Sequence, residues 1–278
     1  MQLQIITLYC VCDTYLKHNG HQDDPQARIT QAEVMTTALV AAWFFAGNLR
    51  LACTFLREER YIPTMVSESR FNRLLHRGTQ AHWQGVLALL SRQSPATAFV
   101  IDSCPAPVCR DVRASRRHLY PDDQAGKKQD AYLGYCAAKE KWYFGLKAHV
   151  VVAENGRPVE VLLLCGCSSD LRGMKEMTLP LPAGAVLYGD KAYNDYGYEQ
   201  QLHEQQQLTL LPIRKRNSKR PHTAEITAQI SRIRKRIETT FSQVSARLAR
   251  RIAAVTEAGF ESKIFATFVA YAILGVAS

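Results

Sequence analysis

The fold is decided by residues 141–165, KWYFGLKAHVVVAENGRPVEVLLLC. The first thirteen alternate and are rich in aromatic and β-branched side chains, Asn155-Gly156 is a two-residue hairpin signal, and PVEVLLLC returns antiparallel. Upstream, AFVID at 98–102 reads as a buried strand closed by Pro105. Downstream, 185–188 and 208–211 read as two more strands, each preceded by a helical stretch. Pro212 suits the last one to a sheet edge, because proline cannot donate to ladders on both sides. The order strand, hairpin pair, helix, strand, helix, strand, helix predicts an α/β domain with five strands and flanking helices.

Residues 1–95 have another texture, without glycine-rich turns or strand alternation, and read as an N-terminal α-helical domain. Thr30-Gln-Ala-Glu33 is a capping box ahead of the apolar run 38–45, and Gly47-Asn48 marks that helix's end. Residues 67–93 supply two short helices, one lined by Arg70, Arg73 and Arg77; a helix-turn-helix DNA reader and a plain solvated face fit equally. The domain boundary falls at Pro95, with 96–278 forming the second domain. A chain of 278 residues with 47% hydrophobic and 22% charged residues is globular, which excludes disordered and collagenous classes. The uncharged stretch Ile264 to Ala277 falls short of the roughly 18–20 residues of a membrane span and reads as a buried helix. No Lys or Arg stands in the first sixteen residues and no cleavage site ends them, so the expectation is a cytoplasmic protein without a membrane partner. The eight cysteines read as reduced thiols. Zinc at Cys10, Cys12, His18 and His21 is the weaker reading, because Cys-x-Cys is an unusual ligand spacing.

Charge is the anomaly. The chain carries 35 Lys plus Arg against 25 Asp plus Glu, and residues 213–251 alone hold twelve basic residues against two Glu. So concentrated an excess points to a polyanion bound along one face, with Arg214, Lys215 and Arg216 as candidate phosphate contacts. The connection 110–140 adds Arg110, Arg113, Arg116, Arg117, Lys127 and Lys128, and reads either as a DNA-gripping arm or as a solvated loop.

Three carboxylates stand out by placement. Asp102 ends the first strand of the second domain and Asp190 ends the fourth, in VLYGDKAY. Glu238 follows Ile237 on a long helix whose apolar positions, among them Ile230, Ile233, Ile237, Phe241 and Val244, recur at three and four. Two-metal phosphodiester chemistry needs such a cluster, because hard divalent cations take oxygen ligands and offset the repulsion among them. Singly, each acid has a bland reading: Glu238 as the helical partner of Arg234, the aspartates as turn formers. The conjunction of two strand-end acids and one helix-borne acid inside a basic segment favours the functional reading.

The segments VIDSCPAPVC (100–109), WYFGLKAHVVV (142–152), VLYGDKAYND (186–195), LPIRKRNSK (211–219) and RKRIETTFSQV (234–244) resemble, in order and spacing, bacterial insertion-sequence transposases of the DDE type. The resemblance implies a ribonuclease H-like (RNase H-like) catalytic domain with a mixed five-stranded sheet over 96–278. It carries the catalytic and metal-binding roles onto Asp102, Asp190 and Glu238, with two Mg²⁺ ions, or Mn²⁺ as substitute. Asp102 would bridge both ions, and Arg234, matching a basic residue four before the Glu, is expected to contact DNA. The implied partner is double-stranded DNA, the element's terminal inverted repeats and the target, bound by a homodimer at the nucleoid. Lys147 and His149, two apart in the Gly-x-Lys-x-His stretch, and Lys191 beside Asp190 are expected near phosphate; for His149 a structural role fits as well. Asp170 reads as a helix cap, with a role beside the catalytic acids as the sharper alternative. Ser231 and Ser245 stand where some groups of the family carry Tyr and Lys, and no Trp follows Asp190, so no DNA hairpin intermediate is inferred. An inactive or domesticated DNA-binding derivative and a structure-specific nuclease are the competing classes.

Overall fold

The structure, a computed structural model, describes residues 1–77, 79–92, 96–110, 119–120, 129–137, 140–248, 252 and 254–275. In chain order these form α1 (Gln2–His18), α2 (Gln31–Phe44), α3 (Leu49–Glu58), α4 (Glu68–His76), α5 (Thr79–Arg92), β1 (Ala98–Arg110), β2 (Leu133–Cys136), β3 (Lys141–Ala153) and β4 (Pro158–Cys165). They continue with α6 (Asp170–Glu176), β5 (Val186–Gly189), α7 (Tyr196–Gln206), β6 (Thr209–Pro212), α8 (Ala224–Arg247) and α9 (Glu257–Leu274). Two compact units result: Met1–Leu90 with Val244–Ser278, and Ser91–Gln243. Arg113, Arg116, Arg117, Lys127 and Lys128 lie outside the described residues.

In the helical unit, α2 starts as its sequence dictates. The Thr30 side chain accepts from the Glu33 amide while the Glu33 carboxylate takes the Thr30 N–H at 2.7 Å, so two orphan donors are satisfied reciprocally. Ala32 and Val34 through Ala42 are buried, which places α2 at the centre of its bundle. The division expected at residue 95 runs differently in one respect. The C-terminal helix α9 belongs with the N-terminal helices, because it too is apolar all round: Phe260, Ile264, Phe265, Phe268 and Val269 are buried, and the Trp83 indole donates to Ser262 Oγ at 3.4 Å. Among the described residues no single helix is long and apolar enough to cross a membrane. Nor do three or more His, Cys, Asp or Glu side chains there group as a metal site; Cys12 is buried, which pushes its thiol up to about 12.

The second unit is built on one mixed sheet with strand order β2-β3-β1-β5-β6, and β4 also pairs with β3. β1 is antiparallel to β3 and parallel to β5, which is parallel to β6. The hairpin closes at Asn155-Gly156 as its sequence requires, with Gly156 at φ +92°. Two expectations are corrected. Among the described residues the sheet has six strands, since β3 overruns β4 at its start and β2, from the long connection, pairs Lys141–Phe144 there. β1 is not closed by Pro105 but continues to Arg110, pairing Pro105 with Lys147 and Pro107 with Gly145. Past Val100, β5 no longer pairs with β1, so prolines on that open side cost no ladder bond.

Candidate active site

Strand register brings the two aspartates together. In the parallel pair Val100 faces Tyr188, so Asp102 and Asp190 stand at equivalent positions two residues further along adjacent strands. Strands are roughly 4.8 Å apart and side chains alternate, so both carboxylates share a face, the one against which α8 packs. Gln229 and Arg234 of α8 mark that face: the Gln229 amide donates to Tyr188 Oη at 2.9 Å, and Arg234 NH2 donates to Asp102 Oδ2 at 3.1 Å. The other Asp102 oxygen takes the Ser103 N–H at 2.8 Å. Burial pushes the Asp102 carboxyl above its ordinary range; the Ser103 amide and the Arg234 charge act against the rise, and the Asp190 charge adds to it. Asp190 Oδ1 accepts the Ala192 N–H at 2.7 Å and so caps the 3-10 turn Lys191–Tyr193. Its bland and functional readings therefore coexist, because a cap occupies one oxygen and leaves the other.

Glu238 is not gathered with them. It is exposed on α8 one turn beyond Arg234, whose guanidinium goes to Asp102. Among the described residues no three His, Cys, Asp or Glu side chains converge as a metal centre. Asp102 and Asp190 nevertheless form a pair of hard oxygen donors whose charges oppose one another, which a divalent cation would relieve, so this pair fits such an ion.

The opposite sheet face carries a network that sequence reading reached only in outline. Ser103, pointing away from Asp102's side, donates from Oγ to Asp170 Oδ1 at 2.6 Å, and Lys147 Nζ lies 3.6 Å from the same oxygen while donating to the Ser168 carbonyl at 2.7 Å. The α6 cap is Ser169, which accepts from Arg172 N, so Asp170 is freed for Ser103. Lys147 is thus engaged internally. His149 is fully buried, lies against Gly173 of α6 and leaves both ring nitrogens without a partner; burial lowers its pKa to about 4. A phosphate contact by His149 is ruled out by that burial, and the histidine is a neutral core residue. Tyr193 is a residue that local sequence gives little reason to single out. It is fully buried with an unpartnered hydroxyl, and burial, then the charges of Asp170, Asp102 and Asp190, hold its phenol well above the usual value. Its only sequence signal is its place three residues after Asp190.

The basic cluster divides. Arg214 forms a bidentate pair with Glu199, 2.5 and 2.7 Å, donates to Asn194 at 3.1 Å and lies over the Tyr196 ring, so its charge is spent within the fold. Lys215, Arg216 and Lys191 are exposed.

A sheet with this strand order, presenting two aspartates at adjacent strand ends under a crossing helix, has the RNase H-like architecture of nucleic-acid phosphoryl-transfer proteins. The family model for the transposase DDE domain matches residues 93–273, and the chain belongs to that family. No curated protein and no solved structure matches it.

Proposed function

We propose that this transposase cuts phosphodiester bonds at the ends of an insertion sequence and joins the freed 3′-hydroxyl to target DNA, with Asp102, Asp190 and Glu238 as its acidic residues. One observation carries the reading: Asp102 and Asp190 share a register position and a face, and the charge of one raises the pKa of the other. Asp102 and Asp190 would hold the divalent cation, Mg²⁺ or Mn²⁺, and Glu238 would complete a second cation's shell. Bound there, the cations would make an attacking water or 3′-hydroxyl more acidic and offset charge on the phosphate. Ser103 and Arg234 fix the orientation of Asp102, one oxygen each. The turn capped by Asp190 holds that carboxylate and presents Lys191 beside it. Lys191, Lys215 and Arg216 supply exposed positive charge for the double-stranded DNA. Two copies of the chain would pair the two ends.

The test supplies pre-cut element ends bearing a free 3′-hydroxyl, a target plasmid and Mg²⁺ or Mn²⁺, and looks for covalently joined product. Joining lost in Asp102→Asn, Asp190→Asn and Glu238→Gln, with DNA binding retained, is the expected outcome. Cutting without joining on authentic ends would instead indicate a nuclease, and binding without cutting an inactive derivative.

A further inference from the structure

Among the described residues of the sheet unit, the large hydrophobic side chains left exposed are Tyr135 and Trp142, at 48% and 53%. They are direct cross-strand partners on β2 and β3, with ring centroids 5.1 Å apart and planes tilted by 52°. We infer that this aromatic pair is a stacking platform for the unpaired bases of a DNA strand, an inference that rests on the transposase reading above. Every base presents a π-face, so two adjoining exposed rings bind a single strand with little sequence preference.

Three observations favour this occupant. Parity along β3 places Trp142, eight residues before Val150, on the same sheet face as Val150 and its partner Asp102. The platform therefore opens on the face that carries the aspartates, roughly 27 Å along the strand at about 3.4 Å per residue. The sequence adjoining the pair is net positive: between Cys136 and Trp142 it contains Lys139 and Lys141 against Glu140. Finally, the exposure is confined to this pair on its stretch of the face: Phe144, two residues along, is buried beside Tyr132. Tyr135 and Trp142 keep half their surface in solvent.

Fluorescence anisotropy of the full chain with a labelled 20-nucleotide oligo(dT), against a 20-base-pair mixed-sequence duplex, tests the platform. Trp142→Ala should weaken oligo(dT) binding by roughly tenfold or more, the loss of one base–aromatic stack. Tyr135→Ala should act in the same direction, Trp142→Phe should restore most of the affinity, and duplex binding should stay within about twofold. The platform is overturned if Trp142→Ala and Tyr135→Ala lower Tm while oligo(dT) affinity is unmoved, as for a cross-strand pair that only steadies β2, or if duplex and single strand weaken equally. A chain that neither cuts nor joins but loses oligo(dT) affinity on Trp142→Ala keeps the platform and sinks the enzymatic reading. One that cuts and joins with oligo(dT) affinity unchanged in both Ala variants loses the platform alone.

Discussion

Asp102 illustrates a residue kept against its own comfort. Burial disfavours its charge and Asp190 adds repulsion, so its folded pKa lies above the unfolded one. For an acid shifted upward, stability is lost as pH rises through the folded value and stays lost at neutrality. Asp102→Asn should therefore raise Tm at neutral pH, with the gain shrinking on acidification. Adding Mg²⁺ or Mn²⁺ should raise the Tm of the unchanged chain and leave that of the variant in place; equal responses would count against Asp102 as a ligand. His149 has the opposite sign. With a folded pKa of about 4 against an ordinary 6.5, the unfolded chain takes up the proton first. Stability is complete above about pH 6.5 and falls toward pH 4, by up to roughly 3 kcal/mol from this group. His149→Met should flatten that limb in acid-unfolding curves, and an unchanged slope would show that the proton goes elsewhere.

At the scale of elements, α8 is docked by specific contacts. Thr240 Oγ1 donates to the Gly156 carbonyl at 3.0 Å, and a Cβ on Gly156 would sit 3.3 Å from Arg236 Cδ on a backbone already at φ +92°. Gly156→Ala should cost about 1 kcal/mol or more in denaturant unfolding, since the left-handed conformation is unfavourable for alanine whatever the space. Gly156→Asn, which tolerates that φ, should cost less. The turn itself was legible: Asn155-Gly156 between alternating runs declares a hairpin, and Thr30 with Glu33 declares the start of α2. What remained illegible needed a tertiary partner. Nothing in PVC at 107–109 says that β1 continues beyond its prolines, because that depends on β5 ending first. Asp102 and Asp190 could be placed at strand ends, but the engagement of Arg214 by Glu199, and of Asp170 by Ser103, joins residues 15 and 67 apart in sequence, which no local spacing encodes. Glu238 follows Ile237 of the apolar stripe, and the helix register is as expected, yet Arg234 is the side chain that reaches Asp102.

For the whole molecule, the charge excess of 213–251 sets how DNA binding responds to salt. Each phosphate contact releases counterions and contributes about −0.9 to the slope of log affinity against log salt. Replacing Lys215 and Arg216 by Ala should flatten the slope by up to about 2 and weaken all sequences alike. Arg214→Ala should leave the slope largely unchanged but destabilise the fold by about 3 kcal/mol, since Glu199 would lose its partner in a mostly buried pair. A slope that depends on Arg214 and not on its neighbours would reverse this division. The helical unit also has a consequence in time. Its first five helices are translated before the sheet, but α9, whose aromatic residues fill the same core, is translated after it. On the ribosome the leading helices must therefore wait, with apolar faces open, until the whole sheet domain has emerged. A released chain that ends at residue 243 should be captured by chaperones and cut readily by proteases within residues 1–90, while Ser91–Gln243 resists.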